Sequence, residues 1–90
     1  MLMPILHLFK HVIKDPMGLH ARPAGQLVKN VAAYQSKVTI AAPKGQADAK
    51  RLMAVMRLAA KQGDELTIQV EGADEEKAAS EIQAFLQENL

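Results

Sequence analysis

The chain predicts a small α+β domain: one four-stranded, mostly antiparallel sheet with three helices on one face, in the order β-α-β-β-α-β-α, an open-faced β-sandwich. Three stretches repeat apolar residues at helical spacing, and the stretch from Leu66 to Val70 alternates apolar and polar residues without a break. Turn-forming residues fall between most of these stretches. Ninety residues make one domain, residues 1–90. A chain of that size buries only roughly 60–65% of the surface it exposes when unfolded, so the core must be small.

From about Leu6 to Lys14 the residues are strand-like. Leu6, Leu8 and Val12 fall on one face and Phe9, His11 and Ile13 on the other, and the periodicity leaves open which face is buried. Asp15-Pro16-Met17-Gly18 ends the strand with turn formers. A helix is expected from Ala21 to about Tyr34, because Ala24, Leu27, Val28 and Val31 recur at i, i+3, i+4 and i+7. Lys37-Val38-Thr39-Ile40 alternates as a half-buried strand does, and Pro43-Lys44-Gly45 turns the chain. Gln46 to Ala49 has weak strand propensity and is read as a strand because a hairpin partner is expected there.

Leu52, Val55, Met56 and Ala59 predict the core stripe of a short second helix that ends before Gln62-Gly63-Asp64. Leu66, Ile68 and Val70, alternating with Thr67, Gln69 and Glu71, form the clearest strand. Gly72-Ala73 is a turn and Asp74 the expected N-cap of a last helix. Glu75 and Glu76 suit its positive end, and Ala78, Ile82, Phe85 and Leu86 form its buried stripe.

Composition excludes several functions. Hydrophobic residues are 49% of the chain but aromatics only 3%, so aliphatic residues and methionines build the interior. The absence of cysteine removes disulfides and thiolate metal sites and fits a reducing compartment. Eleven basic and ten acidic residues, net +1, are too balanced for a protein that binds nucleic acid. Met1 to Phe9 is apolar but has no basic flank and is far short of the roughly 20 residues that span a bilayer, so no membrane insertion and a cytoplasmic location are expected. His7 and His11 have the i, i+4 spacing of helical zinc ligands, yet along a strand they lie roughly 13 Å apart, so no metal is expected. There is no P-loop, no paired-carboxylate motif and no Ser-His-Asp arrangement, and neither an independent enzyme nor a cofactor is expected.

One segment does carry chemistry: Gly18-Leu19-His20-Ala21-Arg22-Pro23-Ala24. It places an imidazole at or just before a helix N-terminus, where unpaired amides and aligned peptide dipoles welcome an anion. Gly18 allows a sharp turn that aims the imidazole outward, and Pro23 suits the first helical turn. Arg22 is close enough to reach an oxyanion bound to the ring. Positive surroundings disfavour imidazolium and leave a neutral nitrogen free to attack. The constellation reads as a phosphorylatable histidine.

The segment resembles the active-site motif of the histidine-containing phosphocarrier proteins (HPr) of the bacterial phosphoenolpyruvate-dependent sugar phosphotransferase system. Lys50-Arg51-Leu52-Met53-Ala54-Val55-Met56 resembles the segment that opens the family's second helix, and the likeness runs from about His11 to Leu90. The resemblance implies an HPr-like fold and a carrier, not an enzyme, whose histidine partner proteins load and unload. His20 would accept a phosphoryl group on Nδ1 from phosphorylated Enzyme I and pass it to the A component of sugar permease complexes. Arg22 would steady the phosphate, with Gly18, Ala21 and Pro23 building the phosphate-binding helix end. Ala24, Arg51, Leu52, Met53 and Met56 are candidate partner contacts, Met53 foremost because it falls off the helical core stripe. Arg51 stands where many relatives carry a regulatory serine. A monomer is implied. Some relatives serve a nitrogen-related or dihydroxyacetone kinase phosphorelay instead of sugar uptake, and the residues do not separate these roles.

Overall fold

Leu66, Ile68 and Val70 are each almost fully buried, and the strand they define lies at the centre of the sheet. The computed structural model describes residues 7–90, so Leu6, expected to open the first strand, lies outside the described residues. The elements are β1 (His7–Val12), α1 (Ala21–Ala32), β2 (Lys37–Ala42), β3 (Gly45–Asp48), α2 (Leu52–Arg57), β4 (Glu65–Glu71) and α3 (Glu75–Asn89). The sheet order is β1-β4-β2-β3, and all three pairings are antiparallel.

The register decides which side chains meet. Phe9 lies opposite Ile68, Ile68 opposite Ile40, and Ile40 opposite Ala47, so one row crosses all four strands on the inward face. This also settles β1: Phe9 and Ile13 turn toward the core, while Leu8 and Val12 stay about half exposed on the open face. The helices supply Leu27, Val31, Val55, Ile82 and Leu86 to the same cluster. Burying each such side chain stabilises by roughly 1.5–3 kcal/mol. No helix among the described residues is long and apolar enough to cross a membrane.

Several expected details differ. α1 stops at Ala32, because the amides of Ala33 and Tyr34 bond back three residues to Asn30 and Val31 and tighten the last turn. β2 extends to Ala42 and β3 begins at Gly45, one residue before its expected start. α2 is only six residues long, which leaves Val55 as its one fully buried side chain. Leu52 is exposed instead of lining the core, and Ala59 lies beyond the helix in a left-handed conformation at φ 46°. Leu58 fills the core at the helix exit instead.

Asp74 precedes α3 but makes no capping bond. Its carboxylate accepts the amides of Gln35 and Ser36, each at 2.9 Å, and the Ser36 hydroxyl. The Ser36 hydroxyl, and then the Gln35 amide, hold this carboxyl below the usual aspartate range. Glu75, at the positive end of α3 as expected, is buried and pairs with His7 Nδ1 at 2.7 Å, tying the start of β1 to the start of α3. Phe85 is only partly buried, and Ala79 joins Ala78, Ile82 and Leu86 on the buried stripe. Tyr34 donates its hydroxyl to Glu81, linking the exit of α1 to α3. Burial, and then that hydrogen bond to an anion, push the Tyr34 phenol up to about 12.

Candidate functional site

The loop between β1 and α1 is held from both sides. Lys14 and Asp15 donate their amides to the Leu90 carbonyl, and Leu19 donates to Ala60 beyond α2 at 3.0 Å. Gly18 adopts φ +67°, and a Cβ there would lie 2.5 Å from the Ala60 oxygen and 2.9 Å from the Lys61 Cα. Only glycine satisfies both the angle and the space. Leu19, buried beside it, anchors the loop in the core and leaves the next residue facing out.

That residue is His20, in the N-cap position of α1 with extended backbone angles (φ −91°, ψ −179°). Its carbonyl starts the helix by accepting the Ala24 amide, while its ring makes no capping bond. The amides of Ala21 and Arg22 are therefore the donors that the first turn leaves unpaired, since Pro23 has none. No acidic residue occupies that turn to offset the positive end of the helix dipole. Asp15, His20, Arg22, Pro23, Gln26 and Asn89 line one open cavity of about 310 Å³. Such a place can seat a tetrahedral oxyanion on or beside the ring.

The surroundings are not wholly positive, as the sequence had implied. Asp15 Oδ2 lies 3.5 Å from His20 Nε2, an ion-pair distance longer than a hydrogen bond. The Met17 amide donates to Asp15 Oδ1 at 2.8 Å, and Gly18 donates to the Asp15 carbonyl at 2.9 Å, so a tight turn presents this carboxylate to the ring. The sequence showed Asp15 only as a turn former. The signal for more was that a turn brings its first residue back toward the residue that follows it.

His20, Arg22 and Pro23 thus share the cavity, whereas Gly18 and Ala21 do not line it: Gly18 is buried against Ala60 and Lys61, and Ala21 opens α1 with its side chain exposed. The candidate partner contacts divide. Met53 (66% exposed), Leu52 (42%) and Arg51 are exposed; Met56 is partly buried against the core. Ala24 is fully buried, because it begins the inward stripe of α1, and it offers no surface to a partner. Nor is the charge evenly spread: residues 16–63 hold eight basic side chains and one acidic, residues 64–90 eight acidic and one basic. The small net charge conceals that division.

Known proteins share this fold. Residues 9–88 match the family described as "PTS HPr component phosphorylation site". The chain is 40% identical over 82 residues to "Phosphocarrier protein HPr" of Mycoplasma genitalium, covering 90% of this chain and 93% of that protein. It is similar to a solved mycoplasma histidine-containing phosphocarrier protein, with TM-score 0.85 and 40% identity over 88% of this chain and 90% of that one. A phosphocarrier protein HPr from Bacillus anthracis is similar at TM-score 0.83 and 28% identity, over 90% of this chain and 96% of that one.

Proposed function

The chain belongs to the HPr family of histidine-containing phosphocarrier proteins of the bacterial phosphotransferase system, and on that premise we propose that His20 shuttles a phosphoryl group between two partner proteins. Phosphorylated Enzyme I loads His20 on Nδ1, and the A component of a sugar permease complex unloads it. The observation that carries this reading is the His20 ring itself, standing at the open N-terminus of α1 without capping it, in one cavity with Arg22.

Phosphoryl transfer between nitrogens asks little covalent work of a scaffold; it needs alignment and a place for the charge on the equatorial oxygens. The amides of Ala21 and Arg22, the dipole of α1 and the Arg22 guanidinium supply that place. Each half of the cycle is completed by a partner, so the chain is a carrier and not a catalyst. It works as a cytoplasmic monomer without cofactor.

Docking falls to the exposed side chains of α2 and of the loop that carries His20. Arg51, Leu52 and Met53 at the start of α2 and Met17 in the loop are exposed, as are Arg22, Arg57 and Lys61. Adaptable methionines within a basic surround fit partners with an acidic face around an apolar centre. Arg51 offers no hydroxyl for a kinase, so control by phosphorylation at that position is absent.

The test is intact mass after incubation with phosphoenolpyruvate and a generic Enzyme I. One acid-labile phosphate on the native chain and none on His20→Ala is the expected result. No phosphate on a folded native chain, with Enzyme I active on a control carrier, would overturn the reading.

A further inference from the structure

We propose that Asp15 is the positioning residue of this transfer: its carboxylate keeps the proton on His20 Nε2 and thereby leaves Nδ1 as the free lone pair that meets the phosphorus. The inference rests on the carrier reading above. It adds a residue to the site and a reason why one ring nitrogen is used.

Asp15 does not reach the ring by chance. The Met17 amide fixes one carboxylate oxygen, the turn closes through the Asp15 carbonyl, and the Asp15 amide is bonded to Leu90 at 3.1 Å. The second oxygen lies 3.5 Å from Nε2, close enough to act on the ring by charge. Among the described residues the ion pairs are His7–Glu75, Lys10–Glu65 and His20–Asp15, so the aspartate faces the imidazole and leaves the Arg22 fork free for phosphate oxygens. Contacts of this kind are commonly long before substrate arrives and shorten in the reacting complex.

A neutral imidazole has two tautomers, and the partner of one nitrogen selects which nitrogen carries the proton. A carboxylate can only accept, so facing Nε2 it favours Nε2–H and an unprotonated Nδ1. On loading, the Nδ1 lone pair forms the N–P bond while the donor's P–N bond breaks and its electron pair returns to the donor nitrogen. Nε2 keeps its proton, and the ring becomes a cation that Asp15 neutralises. On unloading, the N–P electron pair returns to Nδ1 and the ring departs as neutral imidazole, still protonated on Nε2. Without that proton the leaving group would be imidazolate, a much stronger base and a poorer leaving group. Asp15 therefore serves both directions.

Asp15→Asn tests this with little change of shape. The Asn oxygen can still accept the Met17 amide, which turns the amide nitrogen, a donor, toward Nε2. Imidazole nitrogen–proton correlation spectra on the unphosphorylated protein, at a pH where the ring is neutral, should show Nε2–H in the native chain. They should show a shift toward Nδ1–H in Asp15→Asn. Loading by Enzyme I and phosphoenolpyruvate should then lose turnover by roughly tenfold or more with KM little changed, since a wrong tautomer impairs chemistry and not docking. Asp15→Ala, which removes acceptor and donor alike, should fall between the two in both measurements. An unchanged tautomer in Asp15→Asn, or unchanged turnover in both variants, would overturn the proposal. If the native chain itself is not loaded, the carrier reading fails, and the tautomer spectra alone uphold or overturn the control of His20 by Asp15.

Discussion

Gly18 lies against Ala60 so closely that the space a side chain would need is already taken by the Ala60 carbonyl oxygen, 2.5 Å from the Cβ position. The loop bearing His20 and the exit of α2 are therefore one unit. Gly18→Ala combines a left-handed angle with backbone overlap and should destabilise the fold by about 3 kcal/mol, read as a lower urea midpoint at unchanged slope. An unchanged midpoint would mean that the loop yields without cost.

Ala59 offers the opposite case. It holds φ 46° just beyond α2, is exposed, and has no packing to lose. Ala59→Gly should stabilise the chain by about 0.5–1 kcal/mol, because relief of the left-handed strain exceeds the added flexibility of the unfolded state. Urea unfolding of the two proteins side by side decides it.

Tyr34 gives the fold an alkaline limit. Its phenol, raised to about 12, favours the neutral form in the folded state. The corresponding stability is complete below the unfolded value near 10 and is lost as pH rises from about 10 to about 12. Unfolding free energy followed over that interval should fall for the native chain, and Tyr34→Phe should remove this component of the slope.

Arg22 is exposed at the cavity and forms no ion pair with another described residue, so its loss should spare the fold. Arg22→Ala should keep its unfolding midpoint and lose roughly 10- to 100-fold in phosphoryl loading, the scale of one charge-assisted hydrogen bond. Steady-state kinetics with Enzyme I, paired with a urea curve, separate the two effects.

What the sequence revealed follows physical lines. β4 was legible to within one residue, Glu65 at its start, because its two faces differ: one meets the helices and the other stays partly solvated. β1 was ambiguous because Leu8 and Val12 are apolar on the open face, where alternation has no reason to appear. The α2 stripe misled because a six-residue helix is too short for periodicity to decide, and Leu52 faces solvent. Asp74 looked like a cap, yet its acceptors are engaged by residues 35 and 36, a partnership across 38 positions that no local pattern encodes. At the site, His20, Arg22 and Pro23 were visible because they lie within four positions of one another in a long motif. Asp15 was not, because its part depends on a turn that sequence shows only as a turn.

The order β1-β4-β2-β3 has a consequence in time. β1 and β2 do not pair with each other; β1 bonds to β4, β2 to β4 and β3, and His7 meets Val70 across 63 positions. Among the described residues, the β2–β3 hairpin is the one sheet pairing of the final fold available to a growing chain before Glu65 emerges. Such distant pairings slow folding, because loop closure must precede the contacts that reward it. His20 is thus synthesised 45 residues before β4 begins and 70 before Leu90, whose carbonyl holds its loop, and an unfinished chain presents the histidine without the arrangement that gives it a purpose.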